Sequence, residues 1–304
     1  MAFVCSNMKI VRREQNFMSP MVDYLERLDV PEGFSESRLK GVRFFKSLRH
    51  IPRIPLIYDP GIIIIVQGSK VGYLNGKIFH YDANNYLVLS VSIPFECETI
   101  ASPDCPLLGI YIDVELSQLH DLISQIGSSI EFKRERKAAL PQGIGPATLD
   151  EDMADATVRL LKCLQSETEA RVLGPGLVRE ILYRALCGAQ APVLWALVMH
   201  NGNCTRVTRA LKMIHSDYAT KLTIKQLAQQ VDMSVSAFHR VFKEVTSDSP
   251  MQYLKKIRLN KAREFLLQEE IKTYIAADRV GYESTSQFSR EFKRYFGQSP
   301  ADMI

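Results

Sequence analysis

The chain has 304 residues, 46% of them hydrophobic and 24% charged, with 16 Gly and 14 Pro; this ordinary globular composition excludes fibrous, disordered and low-complexity chains and suggests two domains at roughly 150 residues each. The longest strong apolar runs, Ile62–Val66 and Val193–Met199, fall far short of the roughly 20 residues that span a bilayer, and the first residues lack the apolar stretch and cleavage site of a signal peptide. The net charge of +4 is unevenly placed: Asn203–Ile304 holds 17 Lys+Arg against 11 Asp+Glu, whereas the preceding 202 residues hold 21 against 23, so the last third is the part expected to meet a polyanion.

From about Leu56 to Asp113 the sequence reads as short strands. Turn signals recur every eight to ten residues, at Pro60-Gly61, Gly68, Gly76, Asn84-Asn85, Pro94 and Pro103, a spacing that suits a sandwich or barrel. Asn75-Gly76 predicts a hairpin, because both residues tolerate the positive φ of a type I′ turn. Alternation turns Glu96 and Glu98 to water and Phe95, Cys97 and Thr99 inward; the same logic turns Lys77 out and Ile78 and His80 in. Gln67-Gly68-Ser69-Lys70 is read as a β-turn, since no Gly-rich loop opens a helix there. Six cysteines, without a CxxC pair, point to reduced thiols in a cytoplasm. Cys97 and Cys105 flank a predicted turn, but Glu96 and Glu98 disfavour a reactive thiolate.

From about Val114 to Val198 the pattern turns helical. Apolar stripes run through Leu116–Ile126, Met153–Leu164 and Leu177–Leu186, punctuated by Gly143-Ile144-Gly145-Pro146 and Gly174-Pro175-Gly176. The stripe around Met153–Leu164 is a candidate homodimer seam. His200-Asn201-Gly202-Asn203 is the expected interdomain linker. Beyond it everything reads as helix, with a capping box at Thr223 and Gln226 and N-cap plus N1 pairs at Ser249-Pro250 and Ser299-Pro300.

An internal repeat carries the functional signal. Ser234–Pro250 and Ser284–Pro300 share eight of 17 positions at a shift of 50, among them Phe238/Phe288, Arg240/Arg290, Phe242/Phe292 and Lys243/Lys293. Each copy is a helix, a turn and a second helix opened by Ser. Phe238, Val241, Phe242 and Val245 form a core stripe in the first copy; Phe288, Phe292, Tyr295 and Phe296 form it in the second. The opposite faces carry Val235, Ser236, His239, Arg240 and Lys243, then Thr285, Ser286, Ser289, Arg290 and Lys293. Hydroxyls, His, Arg and Lys on one outward face are the residues that grip phosphate and read base edges, so these ten are the expected DNA contacts. A helix from Met251 to about Leu267, without internal Gly or Pro, would hold two recognition helices in successive major grooves of double-stranded DNA.

Ala228, Ser236, Phe238, Arg240–Lys243, Gly281-Tyr282, Ser286–Lys293 and Phe296–Pro300 resemble the double helix-turn-helix domain of AraC/XylS-type transcriptional regulators, over about Thr205–Met303. Asp232 stands where that family usually has Gly. Gly41–Phe45, Tyr58–Pro60, Val66–Lys70, Tyr86–Val88 and Ile93-Pro94 resemble the cupin-like N-terminal domain of one AraC-type subfamily, over about Arg38–Ile126. The resemblance implies a barrel that binds a small effector or mediates dimer contacts, and activation through contact with RNA polymerase. His80, Phe95, Cys97 and Thr99 are the candidate effector contacts, because alternation points them inward. A metal-dependent cupin enzyme needs several converging His; His80 is the only one between residues 51 and 119 and no HxH occurs, so no metal, cofactor or catalytic residue is expected.

The reading is therefore an α+β chain: a cupin-like β-barrel followed by helices over residues 1–200, then an all-α double helix-turn-helix domain over 201–304. It is expected to be a cytoplasmic, sequence-specific DNA-binding activator that responds to a small-molecule effector, forms a homodimer and makes no membrane contact. The alternatives are a constitutive DNA-binding dimer whose barrel is only a scaffold, and a cupin-type enzyme with a basic helical domain.

Overall fold

Ile62–Val66 is a run of five β-branched residues with no polar member, the pattern of a strand covered on both faces. In the computed structural model, which describes residues 20–74, 76–126, 143–198, 203–269 and 271–303, it forms β4 (Gly61–Gln67) inside a six-stranded antiparallel sheet. That sheet has the order β1-β2-β9-β4-β7-β10, with β1 Gly33–Glu36, β2 Val42–Ser47, β7 Asn85–Leu89, β9 Leu107–Asp113 and β10 Ile144–Thr148. A four-stranded antiparallel sheet, β3-β8-β5-β6, lies across the core from it: β3 Ile51–Tyr58, β5 Ser69–Leu74, β6 Lys77–Asp82 and β8 Ile93–Ile100. Residues of both sheets join one hydrophobic cluster.

Strand structure begins earlier than the turn signals suggest, at Gly33 rather than about Leu56. The stretch expected to be only helical between Val114 and Val198 also contributes a strand. The Gly-Pro punctuation at 143–146 opens β10, which pairs with β7 at the sheet edge. Pro146 has no N–H to donate, and an edge position spares it one; the Gln190 amide donates to its carbonyl at 2.9 Å. The hairpin expected at residues 75–76 is present as the β5–β6 pair, with Leu74 opposite Lys77 and Gly76 at φ +75°; Asn75 lies outside the described residues.

Helices α1 (residues 20–27), α2 (Leu116–Ile126), α3 (Glu151–Cys163), α4 (Glu167–Val172), α5 (Gly174–Cys187) and α6 (Ala191–Val198) belong with the sheets. The apolar stripe of α3 is consumed within the chain: Met153, Ala156, Leu160 and Leu161 are buried, and α3 packs on α5. Of the expected linker at residues 200–203, residues 200–202 lie outside the described residues, and Asn203 instead opens α7 (Asn203–Asp217). Then follow α8 (Ile224–Gln230), α9 (Val235–Thr246), α10 (Pro250–Gln268), α11 (Thr273–Arg279), α12 (Thr285–Phe296) and a short 3-10 turn at Pro300–Met303. The Thr223–Gln226 capping box forms, and Ser249 caps α10 with Pro250 in its first turn.

Two helical clusters result. The first half of the repeat shares its core with the sheets through Leu227, Phe238, Phe242, Tyr253 and Ile257. Leu259, Leu266, Ala276, Val280, Phe288 and Phe292 form a second, separate cluster.

Candidate nucleic-acid interface and the barrel interior

Both turns of the repeat are built by the same backbone device. Met233 N–H donates to the Ala228 carbonyl and Asp232 N–H to that of Gln229; Tyr282 and Gly281 repeat this with Ala277 and Asp278. These are Schellman pairs, which place the residue after the helix in the left-handed region. Gly281 sits there at φ +79° and Asp232 at φ +54°. Ser234 and Ser284 then accept from the N–H groups of Ala237 and Gln287 and open α9 and α12.

Below the recognition helices the aromatic residues lock. Phe238 and Phe242 have ring centroids 5.4 Å apart, as do Phe288 and Phe292. On the outer faces Val235, Ser236, His239, Arg240 and Lys243 are exposed, and so are Thr285, Ser286, Arg290 and Lys293; Ser289 is half-buried. Each sequence-predicted DNA contact therefore lies on the expected side of its helix. Arg240 pairs with Glu244 one turn on, at 3.1 Å, with 65% of its side chain exposed. Such a surface pair is worth about 0.3–0.5 kcal/mol, little resistance to a phosphate or a guanine.

Of the four residues assigned to the barrel interior, Phe95, Cys97 and Thr99 are buried. His80 is not: it is exposed, and Ile78 with it, 61% exposed. The expectation is corrected by cross-strand register. Tyr81 stands opposite Lys70 and Phe79 opposite Gly72. A Cβ on Gly72 would lie 2.2 Å from the Phe79 ring, so the glycine leaves the space that this ring fills. Two aromatic rings bury more apolar area than Ile78 and His80 would, and they take the inward face.

The same register gathers a polar cluster that alternation along one strand did not reveal. Lys70 stands between Thr99 and Tyr81 on adjacent strands. Its ammonium donates to the Tyr58 hydroxyl at 2.6 Å and lies 5.3 and 5.8 Å from the ring centroids of Tyr58 and Phe45. Tyr81 Oη is 3.2 Å from Cys97 Sγ. Burial pushes the Tyr58 and Tyr81 phenols and the Cys97 thiol up, so all three are neutral near pH 7. For Lys70 burial opposes the charge, but attraction to Tyr58 and Cys97 as these ionise at alkaline pH, with the Tyr58 hydrogen bond, outweighs it and raises its pKa above the ordinary lysine value. No carboxylate pairs with this buried cation among the described residues. The β-turn reading of Gln67–Lys70 is corrected: only Gly68, at φ +77°, separates β4 from β5, and Ser69 and Lys70 already belong to β5.

A hydrogen bond ties the sheets to the helical part. Tyr253 on α10 donates to the buried Ser92 carbonyl at 2.7 Å, and His215 Nε2 meets the same phenol oxygen at 2.8 Å. The phenol proton is committed to Ser92, so His215 Nε2 is the donor in that second bond. Burial lowers the His215 pKa and keeps the ring neutral.

Residues 38–193, just over half the chain, match the AraC-type transcriptional regulator N-terminus, and residues 227–304 match a helix-turn-helix domain. The thermoregulatory protein LcrF of Yersinia pestis is 23% identical over 247 residues, 79% of this chain and 87% of LcrF. The HTH-type transcriptional regulator AlkR of Acinetobacter baylyi is 36% identical over 94 residues, 31% of either chain. Against AlkR and the msm operon regulatory protein of Streptococcus mutans, the match spans about a third of the relative's length. The fold is that of ToxT from Vibrio cholerae with an unsaturated fatty acid bound, at a TM-score of 0.60 and 11% identity over 90% of this chain and 95% of that one. Two sheets with a helical extension, followed by two helix-turn-helix units on one linker helix, place the chain in the AraC-type family of DNA-binding transcription regulators, to which it belongs.

Proposed function

We propose that the chain is a cytoplasmic activator that reads two successive major grooves through α9 and α12 and answers to a small-molecule effector held in its barrel. It acts as a regulator, with no catalytic step of its own. The division falls near residue 200, with the sensing part before it. The observation that carries the reading is the duplicated exposed set: Arg240 and Lys243 on one helix, Arg290 and Lys293 on the other, at the same positions over the same buried phenylalanines. Ser236, His239, Ser286 and Ser289 complete the base-facing rows, with Val235 and Thr285 at the helix starts.

The buried cation Lys70 supports an acidic effector. A lysine held among Tyr58, Phe45 and Tyr81 without a carboxylate gives a ligand carboxyl group a partner, and its buried aromatic neighbours suit an acyl chain. An unsaturated fatty acid, the ligand in the ToxT structure, meets both conditions. The exposed apolar residues Val172, Leu173 and Tyr183 on and beside α4 and α5 favour that surface for a homodimer, since the stripe of α3 is already covered. Contact with RNA polymerase follows from the activator role.

The test is footprinting on genomic fragments at fixed salt with excess competitor, with and without a monounsaturated fatty acid. Discrete protection about two helical turns long is expected, weakened by about 1–3 kcal/mol in Arg240→Ala or Arg290→Ala at a base each one reads. Occupancy should change with the fatty acid in the wild type and not in Lys70→Met. Salt-sensitive binding without sequence preference would sink the DNA reading. Equal footprints with and without fatty acid in both proteins would leave a constitutive DNA-binding protein.

A further inference from the structure

Arg258 lies in the middle of α10 and reaches three backbone carbonyls at once. Nε donates to Tyr218 at 2.7 Å, Nη2 to Thr220 at 2.8 Å and Nη1 to Gly281 at 3.0 Å. The first two carbonyls follow the end of α7, in the first half of the repeat. The third follows the end of α11, in the second half. Helix C-termini leave carbonyls without intrahelical partners and carry partial negative charge. One guanidinium thus clamps two such ends together from the helix that links them. Its planar fork of donors fits three oxygens at fixed angles, which a lysine ammonium cannot reproduce.

Other contacts make the same joint stiff. A Cβ on Gly281 would lie 2.2 Å from the Ala219 carbonyl oxygen, so backbone meets backbone with nothing between. Tyr218 packs against both hydrophobic clusters. One turn before Arg258, Lys255 holds Glu291 of α12 at 2.9 Å, and Glu291 also accepts from the Tyr282 hydroxyl at 2.8 Å.

We propose that Arg258 is a positioning residue that fixes the offset between the two recognition helices, and with it the number of base pairs between the two stretches of sequence the protein reads. The proposal rests on the DNA reading above. One inserted base pair moves the second stretch by about 3.4 Å and turns it by about 35° around the duplex. A joint held by a three-point clamp and a backbone contact does not follow that movement; a slackened joint does.

The test uses the full-length protein and an operator selected by it, rebuilt with one base pair added or removed between the two halves. Wild type, Arg258→Ala, Arg258→Lys and Gly281→Ala are titrated at fixed salt, with circular dichroism to check folding. The wild type is expected to lose about tenfold or more in affinity on either change of spacing, comparable with a mismatched base pair. Both Arg258 variants should bind the original operator more weakly, yet lose no more than about threefold on respacing. Gly281→Ala, which leaves the guanidinium in place but pushes the halves apart, should shift the preferred spacing. A spacing profile in Arg258→Ala that is lower but as sharp as the wild type's overturns the proposal, because the arginine would then only stabilise. If Arg258→Ala does not fold, unchanged profiles in both Arg258→Lys and Gly281→Ala overturn it equally. A wild type with no sequence preference at all is the separate failure of the DNA reading, and this proposal goes with it.

Discussion

Asp232 holds φ +54° with a Cβ in place, where the second turn uses Gly281. A left-handed residue costs about 1–2 kcal/mol for most side chains and less for Asp. Its ion pair with Arg209, 3.6 Å long with 79% of the Asp side chain exposed, returns little of that. Asp232→Gly should therefore raise stability, read as a higher urea midpoint, by about 0.5 kcal/mol after the unfolded-state entropy of glycine is subtracted. Asp232→Val should lower it by about 1–2 kcal/mol. Residues of this kind were legible beforehand. The helix period alone assigned Phe238, Phe242, Phe288 and Phe292 inward and Arg240, Lys243, Arg290 and Lys293 outward. His80 and Lys70 were not, because the face a strand residue occupies depends on its cross-strand partner, and no single strand carries that information.

At the scale of elements, α3 and α5 are joined by a small charge network. Arg159 donates to both oxygens of Glu180 at 2.7 and 2.8 Å, while Arg184 reaches Glu180 at 2.6 Å and Asp152 at 2.7 Å. The Arg159 hydrogen bonds lead in pulling the Glu180 pKa from 4.5 down to about 2. A carboxyl group depressed on folding contributes fully above its unfolded pKa and loses that contribution as pH falls through the folded one. Stability should thus decline between about pH 4.5 and about pH 2. Glu180→Gln should be less stable at neutral pH and show a shallower decline across that window, measured by denaturant unfolding at stepped pH. The element hardest to foresee was β10, whose five residues Ile144–Thr148 include Gly145 and Pro146. Local propensity argues against a strand there; the free edge of β7 supplies one.

Across the whole molecule, the bond from Tyr253 to the Ser92 carbonyl reinforces the contacts that α10 makes with β3 and β8 and α12 with β3. Tyr253→Phe keeps the ring but strands that carbonyl and the His215 donor, and should cost about 1–3 kcal/mol. Because the first helix-turn-helix unit shares its core with the sheets, the loss should lower the melting of both together, followed by near- and far-ultraviolet circular dichroism. A loss confined to the helical signal would show that the two parts unfold separately. The architecture was readable from the repeat and the turn spacing, whereas this contact joins residues 161 positions apart and left no trace in either pattern.

The second hydrophobic cluster, from Leu259 to Phe292, is separate from the first; Tyr218 packs against both, and α12 also touches β3. Under mechanical load that boundary is where the chain should yield. Pulled by its two ends, the protein should surrender the roughly 45 residues from Leu259 onward first, in a single low-force step that lengthens it by about 150 Å. The sheets and the first reading helix would remain intact behind it, a tethered one-handed protein still able to grip half of its operator.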